Sequence, residues 1–419
     1  GDVNRDGYAD IIVGATRYTA GESWEGAAFV WLGSATGLNG GADGNPTNEH
    51  RHLQINQSAA RFGWSVSTAG DVNGDGYSDV IVGAPYYTNA QSQEGGAWLY
   101  LGSDSGLSAT SANQDEGNQD FAHFGMSVAT AGDVNGDGRA DVVVGAPGYT
   151  VTEGEQGRAW LWYGQPTANG ISTLYDWRAA GELAEANFGA SVATAGDVDG
   201  DGYSDLIVGA PGHASAAGCG YVYHGEADPL AEDAGWTKRS NQEYALFGTS
   251  VGTAGDVNGD GYADVIVGAP RWDDGQDREG AAWVYLGNET GLTSAPHWYR
   301  QGNRVGAEFG SSVGTAGDVN GDGYDDVIVG APLWANPETD EGAAFVYPGS
   351  PTGLSETDPP IWSKASNQAG AEFGCSVGTA GDVNGDGYAD IVIGAPTWTS
   401  GGDERGAVWL YYGSDSGPH

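Results

Sequence analysis

The stretch GDVNGDGYSDVIVGAP (70–85) packs six Asp, Asn or Gly residues into its first seven positions and then turns abruptly apolar. The same phrase recurs from Gly1, Gly132, Gly196, Gly255, Gly317 and Gly381, with Thr16 in the first copy where the other six have Pro. The first Asp of each copy lies at 2, 71, 133, 197, 256, 318 and 382, so the steps are 69, 62, 64, 59, 62 and 64 residues. Self-similarity at a fixed period decides an architecture before any local reading does. Seven units of about 63 residues exceed a two-helix solenoid repeat and suit four-stranded propeller blades.

Each unit reads alike. A short segment such as FGWSVSTA (62–69) precedes the acidic loop, VIVGAP follows it, and after a polar stretch comes a third apolar run such as GAAWVYLGN (280–288). A fourth segment leads to the next Phe-Gly. These runs are short, rich in Val, Ile, Ala and aromatics, and bounded by Gly, Asp and Pro, which is strand grammar. The expectation is an all-β, seven-bladed propeller of four antiparallel strands per blade, with the acidic loop joining strands one and two. The blades fall at 1–61, 62–123, 124–187, 188–246, 247–308, 309–372 and 373–419.

Phe-Gly at Phe62, Phe124, Phe188, Phe247, Phe309 and Phe373, followed in each unit by Gly-Ala-Pro, resembles the FG-GAP repeat of integrin α-subunit propellers. The resemblance covers essentially the whole chain. It implies a seven-bladed propeller, with ligand recognition on the face opposite the acidic loops.

Within each loop, oxygen-bearing side chains fall at positions 1, 3, 5 and 9, Gly stands at position 6, and the position 7 residue offers a carbonyl. Ca²⁺ takes six to eight oxygens at 2.3–2.6 Å, and one tight turn with this spacing can wrap them around an ion. About seven calcium sites are expected, formed by Asp2, Asn4, Asp6, Tyr8 and Asp10; Asp71, Asn73, Asp75, Tyr77 and Asp79; Asp133, Asn135, Asp137, Arg139 and Asp141; and Asp197, Asp199, Asp201, Tyr203 and Asp205. The last three comprise Asp256, Asn258, Asp260, Tyr262 and Asp264; Asp318, Asn320, Asp322, Tyr324 and Asp326; and Asp382, Asn384, Asp386, Tyr388 and Asp390. Turn chemistry alone accounts for one Asp/Asn/Gly loop. It does not account for seven that each crowd at least three carboxylates into nine residues, where like charges repel. The fourth loop has Asp199 where the others have Asn, a fourth carboxylate that is expected to tighten the site. No Glu stands at position 12 and no helix exits, so the loops are not helical EF-hands.

The charge excludes other functions. Against 57 Asp+Glu stand 15 Lys+Arg, a net charge of −42, which disfavours nucleic acid and anionic membranes as partners. No run of 18 apolar residues suggests membrane insertion. Only Cys219 and Cys375 occur, so no disulfide framework holds the fold, and both thiols are expected to be buried. Weak calcium sites fill outside the cell and stay empty in calcium-poor cytosol, which points to an extracellular or cell-surface location.

The second residue after Gly-Ala-Pro/Thr is aromatic or His in every unit: Tyr18, Tyr87, Tyr149, His213, Trp272, Trp334 and Trp398. Such a ring either packs between blades or stacks sugars as a ligand site. The stretches between strands two and three vary more: 21–26, 89–95, 151–157, 273–280, 335–342 and 400–406, with a short uncharged SAAGCG (215–220) in the fourth unit that is expected to leave a gap in the rim. They form the face opposite the calcium loops, where variable loops on a rigid scaffold present binding residues to a protein or glycan.

Catalytic signals are few. His50-Arg-His52 is at most half a zinc site, and neither a nucleophile elbow nor a phosphate-binding loop is present. The expected role is a non-enzymatic calcium-binding adhesion or binding module. A lectin, a surface-layer or filament component, and a non-catalytic domain of a secreted hydrolase are the alternatives. Strand counting gives seven acidic loops but six preceding Phe-Gly strands, and nothing follows the last third strand (406–417). Blade 1 is therefore expected to lack its inner strand and blade 7 its outer one. An upstream segment of about 25 residues, sized on 107–131, or a neighbouring chain would complete the ring.

Overall fold

The computed structural model describes residues 1–41, 44–152, 154–227 and 230–419. Seven small antiparallel sheets are arranged as the blades of a propeller. Blade 2 shows the pattern: an inner strand Ser65–Gly70, then Asp79–Ala84, Gly96–Tyr100 and an outer strand Asn113–Glu116, hydrogen-bonded in that order. Blades 3 to 6 repeat it. In each of blades 2 to 7 the first strand carries a bulge just before the acidic loop, where the Thr hydroxyl accepts from the Gly N–H two residues on, Thr68 from Gly70 at 3.1 Å in blade 2.

The second strands explain the packing. DVIVGA at 79–84 is buried at every position rather than at alternate ones. A strand covered on both faces needs apolar residues throughout, and blades stacked face to face provide that cover. The main apolar clusters accordingly span neighbouring blades. Val265 and Val267 of blade 5 pack with Val222 and Trp236 of blade 4, and Val327 and Val329 of blade 6 with Val284 and Trp298 of blade 5.

The two glycines of the repeat are backbone contacts between blades. A Cβ at Gly83 would lie 2.1 Å from the Gly125 carbonyl oxygen of the next blade, and one at Gly145 1.9 Å from that of Gly189. Gly125 N–H in turn donates to Gly145 O at 3.0 Å within its own blade. Only a residue without a side chain permits that approach.

Among the described residues the sheets of the terminal blades have three strands each. Blade 1 contains Ile11–Ala15, Ala27–Trp31 and Arg51–Leu53, and blade 7 contains Ser376–Gly381, Asp390–Ala395 and Ala407–Tyr411, as the strand count expects. The ring nonetheless closes on the loop face. Ala9 N–H donates to Asp382 O at 2.9 Å, the bond that Ser78 makes to Asp2 and Ala140 to Asp71 at the other seams. Cys375 is exposed, contrary to expectation, while Cys219 is buried. Trp64, which holds in blade 2 the position of Cys375, is also exposed, and both stand just before the inner strands Ser65–Gly70 and Ser376–Gly381.

The short fourth stretch, 215–220, leads directly into strand three. Its first two residues end a single turn, His213–Ala216, in which His213 is buried, and Cys219 and Gly220 already belong to strand three.

Candidate metal centres

All seven acidic loops share the hydrogen bonds donated by the amides of positions 5, 6 and 7, and five of them, all but the first and third, add one from position 4. In blade 2, Asp71 Oδ1 accepts from the amides of Gly74 (2.7 Å) and Asp75 (3.1 Å), and its Oδ2 from Gly76 (2.7 Å). Asn73 Oδ1 accepts from Asp75 N–H at 2.9 Å, and Asp75 Oδ1 from Tyr77 N–H at 3.1 Å. Gly76 has φ 90°, which permits the reversal that folds positions 1, 3 and 5 together.

Position 9 plays a second part. Asp79 is fully buried, with Oδ2 accepting from Val72 N–H (2.9 Å) and Oδ1 from Gly102 N–H (2.8 Å) at the end of strand three. It ties the loop to the blade, as do Asp10, Asp141, Asp205, Asp264, Asp326 and Asp390. Burial pushes the carboxyls of Asp79, Asp141, Asp264 and Asp326 up to about 7, and those of Asp10 and Asp390 to about 6, against the pull of the two amide hydrogen bonds. The loop's other carboxylates push the same way. A divalent cation held by these loops would remove this conflict, and an oxygen donor set with one buried carboxylate fits Ca²⁺.

Two loops depart. In the third, Arg139 places its guanidinium 2.5 Å from Asp137 Oδ2, a counter-charge supplied by the chain itself. In the fourth, Asp197, Asp199 and Asp201 bring carboxylate oxygens within 4.8 Å of one another, and Asp199 and Asp205 do the same with His224. His224 was not legible as a site residue by spacing within the loop, because it lies at the end of strand three. Its signal is a substitution: the other units have Leu32, Leu101, Tyr163, Leu286, Pro348 and Tyr412 there.

Six of the seven recurring rings meet the third strand of their own blade, and five of them, Tyr87, Tyr149, Trp272, Trp334 and Trp398, also pack against clusters that span neighbouring blades. Tyr18 meets Phe29, Tyr87 meets Trp98, Tyr149 meets Trp160, Trp272 meets Trp283, Trp334 meets Phe345 and Trp398 meets Trp409, all edge-on at 5.0–5.3 Å. The Phe of Phe-Gly closes a triad on the same third-strand ring, Phe62 on Trp98 at 5.5 Å. In blade 1, which has no such Phe, His52 stacks on Phe29 at 4.7 Å, so His52 is a packing residue. Among the described residues no group of potential metal ligands includes His50 or His52.

The loops between strands two and three hold a recurring strut. Glu25, Glu94, Glu279 and Glu341 are fully buried, and each Oε1 accepts from a loop amide, Glu94 from Asn89 (2.7 Å) and Ala90 (2.9 Å). The Glu-Gly pair before strand three was its signal. Glu153, within the 151–157 stretch, lies outside the described residues. On the same face Trp24 and Trp64 are exposed, and the Arg61 guanidinium lies 5.9, 5.6 and 4.7 Å from the rings of Trp24, Trp64 and Tyr86.

The FG-GAP repeat pattern matches residues 1–31, 62–100, 124–162, 188–224, 247–285, 309–347 and 373–411. The chain belongs to the FG-GAP repeat family. This FG-GAP propeller is 31% identical to integrin alpha-V of Gallus gallus over 369 residues, 80% of the chain and 32% of that protein. It is 33% identical to integrin alpha-5 of Xenopus laevis over 228 residues, 52% of the chain and 21% of that protein. It is 28% identical to human phosphatidylinositol-glycan-specific phospholipase D over 463 residues, 99% of the chain and 54% of that protein. The chain thus spans between about a fifth and about half of the length of these relatives. No described helix is long and apolar enough to cross a membrane.

Proposed function

We propose that this FG-GAP propeller is a calcium-stabilised, non-catalytic binding module that acts outside the cell. The observation that carries the reading is the division of labour between its two faces. One holds seven carboxylate loops, each anchored by a buried Asp whose charge calls for a cation. The other presents the loops between strands two and three, with Trp24, Arg61, Trp64 and Tyr86 grouped at blades 1 and 2. Clustered Trp, Tyr and Arg are the residue types that dominate protein interfaces. The similarity to integrin α chains supports adhesion as the use of that face.

At about 1 mM Ca²⁺, sites with dissociation constants of about 10⁻⁴–10⁻³ M each stabilise the fold by roughly 0.4–1.4 kcal/mol, and seven by on the order of 3–10 kcal/mol. The melting temperature is therefore expected to fall by many degrees on transfer from millimolar Ca²⁺ to excess EDTA. Equal melting temperatures would reject the calcium reading.

The phospholipase relative favours a second reading, in which the propeller accompanies an enzyme as its non-catalytic part; a catalytic domain in the same reading frame would decide for it. The glycan-stacking role of Trp272, Trp334 and Trp398 has less support, because their rings pack edge-on within the blades and Arg304 lies over Trp334 at 4.5 Å.

A further inference from the structure

The fourth loop differs from its six relatives in chemistry as well as in charge. His224 Nδ1 lies 3.2 Å from Asp199 Oδ2 and 3.4 Å from Asp205 Oδ1. The nitrogen itself is shielded from solvent, while the side chain keeps about a quarter of its surface exposed, and Nδ1 stands within ion-pair distance of both carboxylates. Two departures from the repeat place these groups together: Asp199 replaces the Asn of the other loops, and His224 replaces Leu, Tyr or Pro. A third makes room for the ring. A Cβ at Gly235 would lie 2.1 Å from His224 Cδ2 and 2.6 Å from Nε2, and one at Gly291 would lie 3.0 Å from Cε1. Where blade 4 has Gly235 before its outer strand, blade 5 has His297 and blade 6 has Ile361. The imidazole is therefore seated with its Nε2 edge against glycine and its Nδ1 toward the carboxylates.

We propose that the fourth loop is a site for a transition-metal divalent cation of the zinc class, held by His224 Nδ1 and the carboxylates of Asp199 and Asp205, while the other six loops take calcium. The inference rests on the metal reading of the loops. Calcium is bound through oxygen, whereas imidazole nitrogen suits zinc and its neighbours. Donors 2.0–2.1 Å from a tetrahedral zinc stand about 3.3–3.4 Å apart, close to the spacing of Nδ1 from the two oxygens. Asp197 and Asp201, on the other side of Asp199, supply further oxygens. Asp205 keeps its amide bonds from Val198 (2.7 Å) and Gly225 (2.8 Å), which fix its carboxylate.

The test is calorimetric titration of Zn²⁺ into the full chain, stripped with EDTA, dialysed and saturated with millimolar Ca²⁺. One equivalent of Zn²⁺ is expected to bind roughly tenfold or more tightly than any other and to resist Ca²⁺. That equivalent is expected to vanish in His224→Leu, which installs the residue of blades 1, 2 and 5, and to weaken in Asp199→Asn, which restores the loop of the other six blades. Absence of a distinct equivalent, or its persistence in a folded His224→Leu chain, would overturn the proposal and would mean that the imidazole is itself the counter-charge of this loop. Should His224→Leu fail to fold, Asp199→Asn decides alone: undiminished zinc affinity rejects the site. A parallel Ca²⁺ titration separates the two readings, since lost calcium binding rejects the calcium sites whether or not the zinc equivalent appears.

Discussion

Asp79 and its six equivalents show how one residue can serve fold and ligand together. Each gives both carboxylate oxygens to backbone amides, and each is almost or fully excluded from water. A group whose folded pKa is raised binds a proton in the folded state at pH values where the unfolded chain has already lost it, so stability falls as pH rises through that window. For the metal-free chain the window runs from the ordinary carboxylate range, near 4, up to about 7 for Asp79, Asp141, Asp264 and Asp326. Thermal melts in EDTA are expected to show a melting temperature that declines between pH 5 and pH 7.5. In millimolar Ca²⁺ the decline is expected to vanish or reverse, because the ion competes with the proton for the same carboxylate. A metal-free chain that gains stability over this range would show that these carboxyls ionise freely in the fold.

At the level of the element, the repeat is a packing instruction. Gly83 must be glycine because the Gly125 carbonyl of the next blade occupies the place of its side chain, and the same holds for Gly145, Gly209, Gly268 and Gly330. Gly394, the same residue of blade 7, faces no following Phe-Gly strand, and its nearest neighbour would be Ser376 Cβ at 3.7 Å. Gly145→Ala is therefore expected to destabilise by about 1–3 kcal/mol or more, since backbone must move, whereas Gly394→Ala is expected to change stability by less than about 1 kcal/mol. Equal costs in denaturant melts would show that the glycines answer to something other than the inter-blade contact. Much of this was legible in the sequence, because seven copies separate what every blade needs from what one blade has. Phe-Gly, Gly-Ala-Pro, the loop positions and the missing terminal strands all follow from comparing units. What escaped was contact between residues far apart in the chain or sharing no register. The aromatic ring was ambiguous until Tyr87 was seen against Trp98, and Cys375 looked buried because the empty place beside its strand is a property of the ring. His224 escaped because its partners are 19 and 25 residues earlier.

The whole molecule is a ring closed unevenly. On the loop face all seven seams carry the same amide-to-carbonyl bond, and the seam between blades 7 and 1 adds Leu38 N–H to the Tyr412 hydroxyl at 3.1 Å. Around the axis, successive inner strands are linked by a second series in which the Val amide donates to the preceding blade's serine: Val128 to Ser65, Val192 to Ser127, Val251 to Ser191, Val313 to Ser250 and Val377 to Ser312, at 3.0–3.1 Å. The series begins after Val66 and ends before Ser376, where the inner strand of blade 1 would stand. The valines register the difference: Val128, Val192, Val251 and Val313 are buried, while Val66 and Val377 are partly exposed. Unpaired strand edges and thin apolar cover set the lowest local opening energies. Native-state hydrogen exchange is therefore expected to be fastest, among equivalent amides, at Val66 and along Ile11–Ala15, whose outer partner is Ala27–Trp31 and whose other edge pairs with no strand among the described residues. The second strands of blades 3 to 6, buried on both faces, are expected to exchange slowest. Protection of Val66 equal to that of Val192 and Val251 would mean that the place between the inner strands of blades 7 and 2 is filled in solution, and that the seam is no weaker than the other six.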